Sequence, residues 1–414
     1  MNQKTKNPGD GPLAGVRVLD LSAVISGPFA GQMLAELGAD VVKIEPPDGD
    51  SQRRIGPARG EGMGHIYMNS NRGKRALGLD LKKPAGRAVL LRLARTADVL
   101  LYNMRARAME RLGLSHAVLA ETNPRLIFVG LFGFGQDGPY ADKPAYDDLI
   151  QSAAGVAHIM SRKLSSAPQY VPLALADRNA SFNAALAICA ALYERERSGL
   201  GQRIDIPMFE NTVSMVMADH LGGLSFEPAL GEGGYARLLA AGRKPYRTQD
   251  GYIAAMPFTD RHWRRLYEVI GRADDFERDT RLHTMQSRNQ HVDAIYAEFE
   301  QLLAGRPSAH WLRVFEEADV PNMPVHDLHS LLEDEHLRAV NFFPKESHPS
   351  EGVLRRTRHP NHWSRTPPQP TRPAPRVGEH SDEVLREAGF DAAEIAALVQ
   401  DGIVAQARMP EAQW

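Results

Sequence analysis

The stretch GVRVLDLSAVISGPFAGQMLAELGADVVKIEPP, residues 15–47, sets two short apolar runs, VRVLDL (16–21) and DVVKIE (40–45), on either side of a helical candidate at 28–38. The pattern then repeats. ADVLLY (97–102), LIFVGLF (126–132) and QRIDI (202–206) are brief apolar runs of the same kind, and further helical candidates lie at 84–96, 115–122, 146–160 and 178–198. Alternation of this sort argues for the doubly wound α/β class, a mostly parallel, Rossmann-like sheet covered by helices. Ligands of such sheets gather beyond the carboxyl ends of the strands, where the strand order switches direction.

The character of the chain changes after residue 222. A Gly-rich connection leads to an expected strand around 252–256 and to helices at 260–271, 288–304 and 308–319. We therefore expect a large α/β domain over 1–222, a smaller α+β domain over 223–330, and a C-terminal strap with short helices over 331–414 that returns to the large domain. Residues 344–380 are rich in Pro, Arg and His and read as extended chain.

Bulk properties exclude several classes. The chain has 414 residues with 49 basic and 51 acidic side chains, a net charge of −2, which gives no general attraction to nucleic acid or to an anionic membrane. No apolar run approaches the ~18 residues of a membrane span, and the polar start MNQKTKNPGDGP is no signal peptide, so a cytoplasmic location is expected. One cysteine, Cys189, leaves no disulfide framework and reads as helix packing.

Asp177 stands between an apolar run and an alanine-rich helix, in VPLALADRNASFNAALAICAALYERERSG. One reading makes it the N-cap, accepting from an orphan amide of the first turn. The other gives it chemistry. The helix is apolar nearly all round, so we expect it buried, with its positive N-terminal end able to hold a developing oxyanion.

Other motifs carry less. GFGQDG (133–138) has the spacing of a dinucleotide fingerprint, but Pro139 and Pro144 follow where a helix is needed, so it reads as a tight loop. His348, His359, His362 and His380 match no zinc spacing and read as solvated, and no metal is expected. Basic residues cluster at Arg53 and Arg54 and again at Arg105, Arg107 and Arg111; either group fits a solvated face, and together they fit a phosphate pocket. Arg178, with Arg162 and Lys163 upstream, hints at a second carboxylate on a substrate.

Six segments in order, LAGVRVLDLSAVISGPFAGQMLAELGADVVKIEPPDGD, NSNRGKRALGLDLKKPAGR, ADVLLYNMRARAMERLGL, DRNASFNAALAICAALYERERSGLGQRIDIPMFE, PYRTQDGYIA and GEHSDEVLREAGF, resemble the family III CoA-transferases and the related α-methylacyl-CoA racemases. The resemblance implies an interlocked homodimer and a nucleophilic aspartate at Asp177. It implies coenzyme A contacts at Val24, Leu79, Lys82, Asn103, Met104, Arg105 and Arg111, with Arg54 for phosphate, Tyr146 in the pocket and Met208 near the thiol. Coenzyme A, carried as acyl-CoA, is then a substrate, with no tightly bound cofactor.

The departures are specific. Ile25 and Phe132 replace a glutamine and a lysine of the formyl-CoA transferases, and their glycine-only loop is absent. Tyr146 precedes Asp147 where the racemase branch has histidine. Racemisation needs an acid and a base on opposite faces of the α-carbon, so transfer of CoA to a free carboxylic acid, through an aspartyl anhydride and thioester, is favoured over racemisation or a non-catalytic CoA-binding role.

Overall fold

The computed structural model describes residues 11–368 and 372–407, so the polar start and part of the Pro-rich strap lie outside the described residues. Strands β1 (Arg17–Asp20), β2 (Asp40–Glu45), β3 (Arg75–Leu79), β4 (Val99–Tyr102), β5 (Ile127–Phe132) and β6 (Arg203–Pro207) run parallel in the order β3-β2-β1-β4-β5-β6. That is the doubly wound order, with its switch between β1 and β4.

Side-chain alternation divides each strand between two cores. Val18, Val41, Val99 and Ile127 face one layer, which is filled by Ala176, Ala180, Ala184 and Ile188 of a helix over Leu175–Ser198. Their neighbours Leu19, Val42, Leu100 and Phe128 face the other, where Val384, Leu385 and Ile395 come from the C-terminal helices Ser381–Glu387 and Ala392–Gln400. The C-terminal helices thus cover one face of the sheet.

Two compact units result. One comprises the chain up to Ala154, Pro172–Met215 and Asn341 onward; the other comprises Gly155–Val171 and Val216–Val340. The sequence placed divisions at 222 and 330, whereas the crossings fall at 215 and 340, and Gly155–Val171 joins the smaller unit. The smaller unit holds an antiparallel sheet, β7 (Tyr246–Arg247), β8 (Tyr252–Ala255) and β9 (Asn322–Pro324), around a core of Trp263, Phe299, Trp311 and Phe315.

Several expectations need correction. The helical candidate at 146–160 is two helices, Asp147–Ala153 and Val156–Leu164, divided by Gly155 at φ +83°, a left-handed turn that glycine adopts readily. The strap is not all extended, because β10 (Lys345–His348) and β11 (Gly352–Arg355) form a hairpin. His348 is buried in it, with Nε2 3.0 Å from the Ala374 carbonyl oxygen, and His380 accepts from the Ala76 amide, so neither is a solvated loop residue. Strand β12 (Val404–Ala405) then adds an antiparallel edge to β3. The helix Leu175–Ser198 is also not buried all round: Phe182, Leu186 and Tyr193 are 57%, 69% and 70% exposed.

Candidate active site

Because β1–β6 are parallel, every turn leaving a carboxyl end opens on one edge of the sheet. Val24 follows β1, Arg54 follows β2, Lys82 follows β3, Asn103, Met104 and Arg105 follow β4, and Met208 follows β6. Ten residues inferred from sequence for coenzyme A, scattered from 24 to 208, belong largely to these turns.

Two buried lysines hold the turn after β1. The Lys74 ammonium lies 2.7 Å from Asp20, from the Pro28 carbonyl oxygen and from Asn71 Oδ1, all in a fully buried setting. Burial works against the Asp20 carboxylate, yet the Lys74 and Lys43 cations outweigh it and hold its pKa below the usual value. Lys43 donates to the Ser22 carbonyl oxygen at 2.7 Å and to Asp50 at 2.8 Å. Asp50 in turn accepts from the Val24 amide, whose φ of +72° is a costly conformation for a β-branched residue. Such a network is stabilising only when each member is satisfied, and here it spends its energy on the shape of one turn. None of Asp20, Lys43, Asp50 and Lys74 stands out by local spacing; only the folded chain unites them.

The switch point is closed by Asn103. Its side-chain oxygen accepts from the Ala23 amide at 2.9 Å and its nitrogen donates to the Ala23 carbonyl oxygen at 2.7 Å, tying the β1 and β4 turns together. Beyond it, Arg105 and Arg111 are exposed and carry no ion pair among the described residues, whereas Arg107 is paired with Asp142 at 2.8 Å. Arg53 must be removed from the basic cluster. It is buried against Glu45, Tyr67 and the Pro375 carbonyl oxygen, while Arg54 beside it is exposed. Leu79 is 1% exposed in the core, so in this chain only its backbone can meet a ligand; Met208 is buried on the opposite face of the sheet, Lys82 is exposed, and Tyr146 is largely exposed.

Asp177 is not an N-cap. The helix begins at Leu175, the cap position is Ala174, and Asp177 is the third helical residue. Its amide donates to Asp147 Oδ1 at 3.0 Å, so a carboxylate from the helix Asp147–Ala153 performs the capping. Gln151 holds that carboxylate by donating to Asp147 Oδ2 at 2.7 Å. The half-buried Asp177 side chain is pushed up to a pKa of about 6, first by burial and then by the Asp147 charge, with the Ser26 side-chain hydrogen bond and Arg178 pulling the other way. Ser26 starts the helix Ser26–Glu36, directly after the braced turn. The Ser181 hydroxyl, 2.7 Å from the carbonyl oxygens of both Ser26 and Asp177, fastens the two helices there.

The amides expected to meet an oxyanion are committed or hidden. Those of Leu175 and Arg178 donate to the carbonyl oxygens of Leu173 and Ala174, and Ala176 is fully buried. Two glycine-rich loops, 133–138 and 231–234, are hydrogen-bonded to neighbouring elements: Gly135 donates to Glu210 at 2.9 Å and Gly234 to the His220 carbonyl oxygen at 2.7 Å. Arg162 and Lys163 are spent on backbone carbonyl oxygens of Gly233 and of Ala240 and Arg243. Among the described residues there is no group of three or more His, Cys, Asp or Glu side chains that could hold a metal, and no helix long and apolar enough to cross a membrane. A cavity of about 400 Å³, lined by Tyr246, Phe258, Trp263 and Arg237, belongs to the smaller unit and does not include Asp177.

Residues 13–381 match the family model described as CoA-transferase family III. The chain belongs to the family III CoA-transferases. This transferase is 33% identical over 392 residues to the succinate–glutarate CoA-transferase of Agrobacterium fabrum, covering 91% of this chain and 95% of that one. It is 35% identical over 331 residues to the acetyl-CoA:oxalate CoA-transferase of Acetobacter aceti, with 79% and 84% of the two chains covered. Its fold superposes on the crystal structure of a CAIB/BAIF family protein from Brucella suis with a TM-score of 0.79, at 28% identity and over 92% of this chain and 100% of that one. The reaction is therefore transfer of coenzyme A from an acyl-CoA donor to a carboxylic acid.

Proposed function

We propose that Asp177 is the nucleophile of this transfer, and that the acids exchanged are dicarboxylates, the class to which the named substrates of two relatives belong. The observation that carries the first part is the capping of the helix by Asp147, which relieves the Asp177 side chain of any capping role and leaves it at a sheltered helix start, held by the Ser26 side chain. A carboxylate with a pKa near 6 is still ionised at neutral pH and is a more basic nucleophile than an ordinary aspartate.

An Asp177 oxygen attacks the donor carbonyl carbon, the C–S bond breaks, and CoA thiolate leaves a mixed anhydride. The thiolate then attacks the Asp177 carboxyl carbon, forming an aspartyl-CoA thioester and releasing the donor acid as its carboxylate. An acceptor carboxylate attacks that thioester, thiolate leaves again, and its attack on the acceptor carbonyl yields the new acyl-CoA and restores Asp177. Each step exchanges one anion for another, so no proton or nucleotide is consumed. Val24, Arg54, Leu79, Lys82, Asn103, Met104, Arg105, Arg111, Tyr146 and Met208 hold the coenzyme A portion, with the unpaired Arg105 and Arg111 suited to its phosphates.

The working form is a cytoplasmic homodimer. Phe182, Leu186, Cys189 and Tyr193 follow at helical spacing on one stripe of the long helix, and three of them are widely exposed; a second copy is the partner that would cover it.

Mass spectrometry after incubation with acyl-CoA and hydroxylamine tests the nucleophile. A hydroxamate at Asp177, absent from Asp177→Asn protein, is expected. Consumption of the donor by an Asp177→Asn protein shown to have retained its asparagine would end this reading.

A further inference from the structure

Arg178 is an anomaly among the arginines withdrawn from solvent. Arg53, Arg72, Arg75, Arg195 and Arg288, all buried, pair with Glu45, Glu36, Asp40, Asp98 and Asp260 respectively. Arg178 is half-buried, yet it has neither a hydrogen bond nor an ion pair from its guanidinium among the described residues, and its Nη1 is enclosed without an acceptor. What holds it is a ring: the guanidinium carbon lies 4.1 Å from the centroid of Phe29. A cation–π contact recovers less than withdrawing a cation from water costs. A cation held in place with no acceptor for its N–H groups, its only nearby charge a carboxylate that reacts, calls for an anion from elsewhere.

Its placement defines that anion. Ser26 and Phe29 are three residues apart, on one face of the helix Ser26–Glu36, and they engage Asp177 and Arg178 in turn. Consecutive helical residues project about 100° apart, so Arg178 stands to one side of the Asp177 oxygens rather than over them. We infer that Arg178 binds the second, non-reacting carboxylate of a dicarboxylic substrate while Asp177 engages the reacting end. The inference rests on the assignment of Asp177 as nucleophile. Acylation of Asp177 removes the one charge that pulls on Arg178, so the cation is least neutralised when the acceptor must enter.

The test compares two acceptors of equal chain length, succinate and butyrate, with acetyl-CoA as donor. The ratio of their kcat/KM values is measured within each of wild type, Arg178→Met and Arg178→Lys, so that general damage cancels. Wild type is expected to favour succinate. Arg178→Met should reduce that preference by about 10- to 100-fold, mainly through the KM for succinate, and Arg178→Lys should fall between. An unchanged ratio in Arg178→Met, or wild type showing no preference, overturns the proposal. So does a loss of dimer mass in that variant with the ratio intact, which would make Arg178 an intersubunit residue. Hydroxylamine trapping on wild type with acetyl-CoA keeps the two readings apart: a hydroxamate at Asp177 with an unaltered ratio defeats only the role of Arg178, and no hydroxamate defeats the nucleophile itself.

Discussion

Asp147 accepts the backbone amide of Asp177 at 3.0 Å, so that one carboxylate caps the helix from outside while the next stays unengaged by its own backbone. The arrangement has two consequences of opposite kind. It satisfies a helix-start amide, which stabilises by about 1 kcal/mol. It also holds two negative charges close together, which favours protonation of one of them.

The pH dependence follows from the second consequence. Burial first, and Asp147 second, raise Asp177 from 3.8 to about 6. Only the ionised form attacks, so kcat/KM for the acyl-CoA should fall as pH drops through about 6, not about 4. A pH–rate profile of free enzyme with flat activity from pH 7 to 4.5 would contradict this.

Replacing Asp147 by asparagine separates the two causes. The amide oxygen can still accept from the Asp177 backbone, while the like charge disappears. The acid limb should move down toward the ordinary carboxylate value without reaching it, because burial, the larger cause, remains. An unmoved limb in Asp147→Asn would leave burial as the whole explanation.

Much of this was legible in the chain. Runs such as DVVKIE and LIFVGLF become β2 and β5 because a strand buried on both faces needs mostly apolar, often β-branched residues, a local property that the buried Lys43 interrupts in β2. Strand β3 was missed since RALGL is short, begins with arginine and contains glycine; only its neighbours make it a strand, with Arg75 turned to Asp40, Glu383 and Glu387. Asp177 stands out in the sequence, and of its two readings the N-cap falls, because Asp147 stands 30 residues away and only tertiary contact reveals that it supplies the cap. Arg53 and Arg54 are indistinguishable in sequence, and packing alone separates the buried one from the exposed one.

The contrast between a buried and an exposed arginine gives a third prediction. Arg53→Ala leaves Glu45 buried and unpaired and should destabilise the fold by about 3–5 kcal/mol, read as a lowered denaturation midpoint. Arg111→Ala, at an exposed and unpaired position, should leave stability within about 0.5 kcal/mol and raise the KM for acyl-CoA. If Arg111→Ala leaves that KM unchanged, the side chain does not meet the substrate's phosphates.

The nucleophile should also be a burden on the fold. A carboxylate with a folded pKa of about 6 and an ordinary value of 3.8 binds a proton more tightly in the folded chain. Between those values stability therefore declines as pH rises, and above pH 6 the whole penalty is present. Partial exposure at Asp177 lets solvent screen the charge, which reduces the penalty to about 1–2 kcal/mol. Asp177→Asn should thus be inactive yet harder to unfold at pH 7 by that amount, and most of the gain should be gone by pH 4, where the folded aspartate carries its proton and the unfolded one is close to its own value of 3.8. Urea denaturation of both proteins at the two pH values measures this. Equal midpoints at pH 7, with inactivity retained, would mean that the Ser26 hydrogen bond compensates the burial of the charge and that the site stores no electrostatic strain.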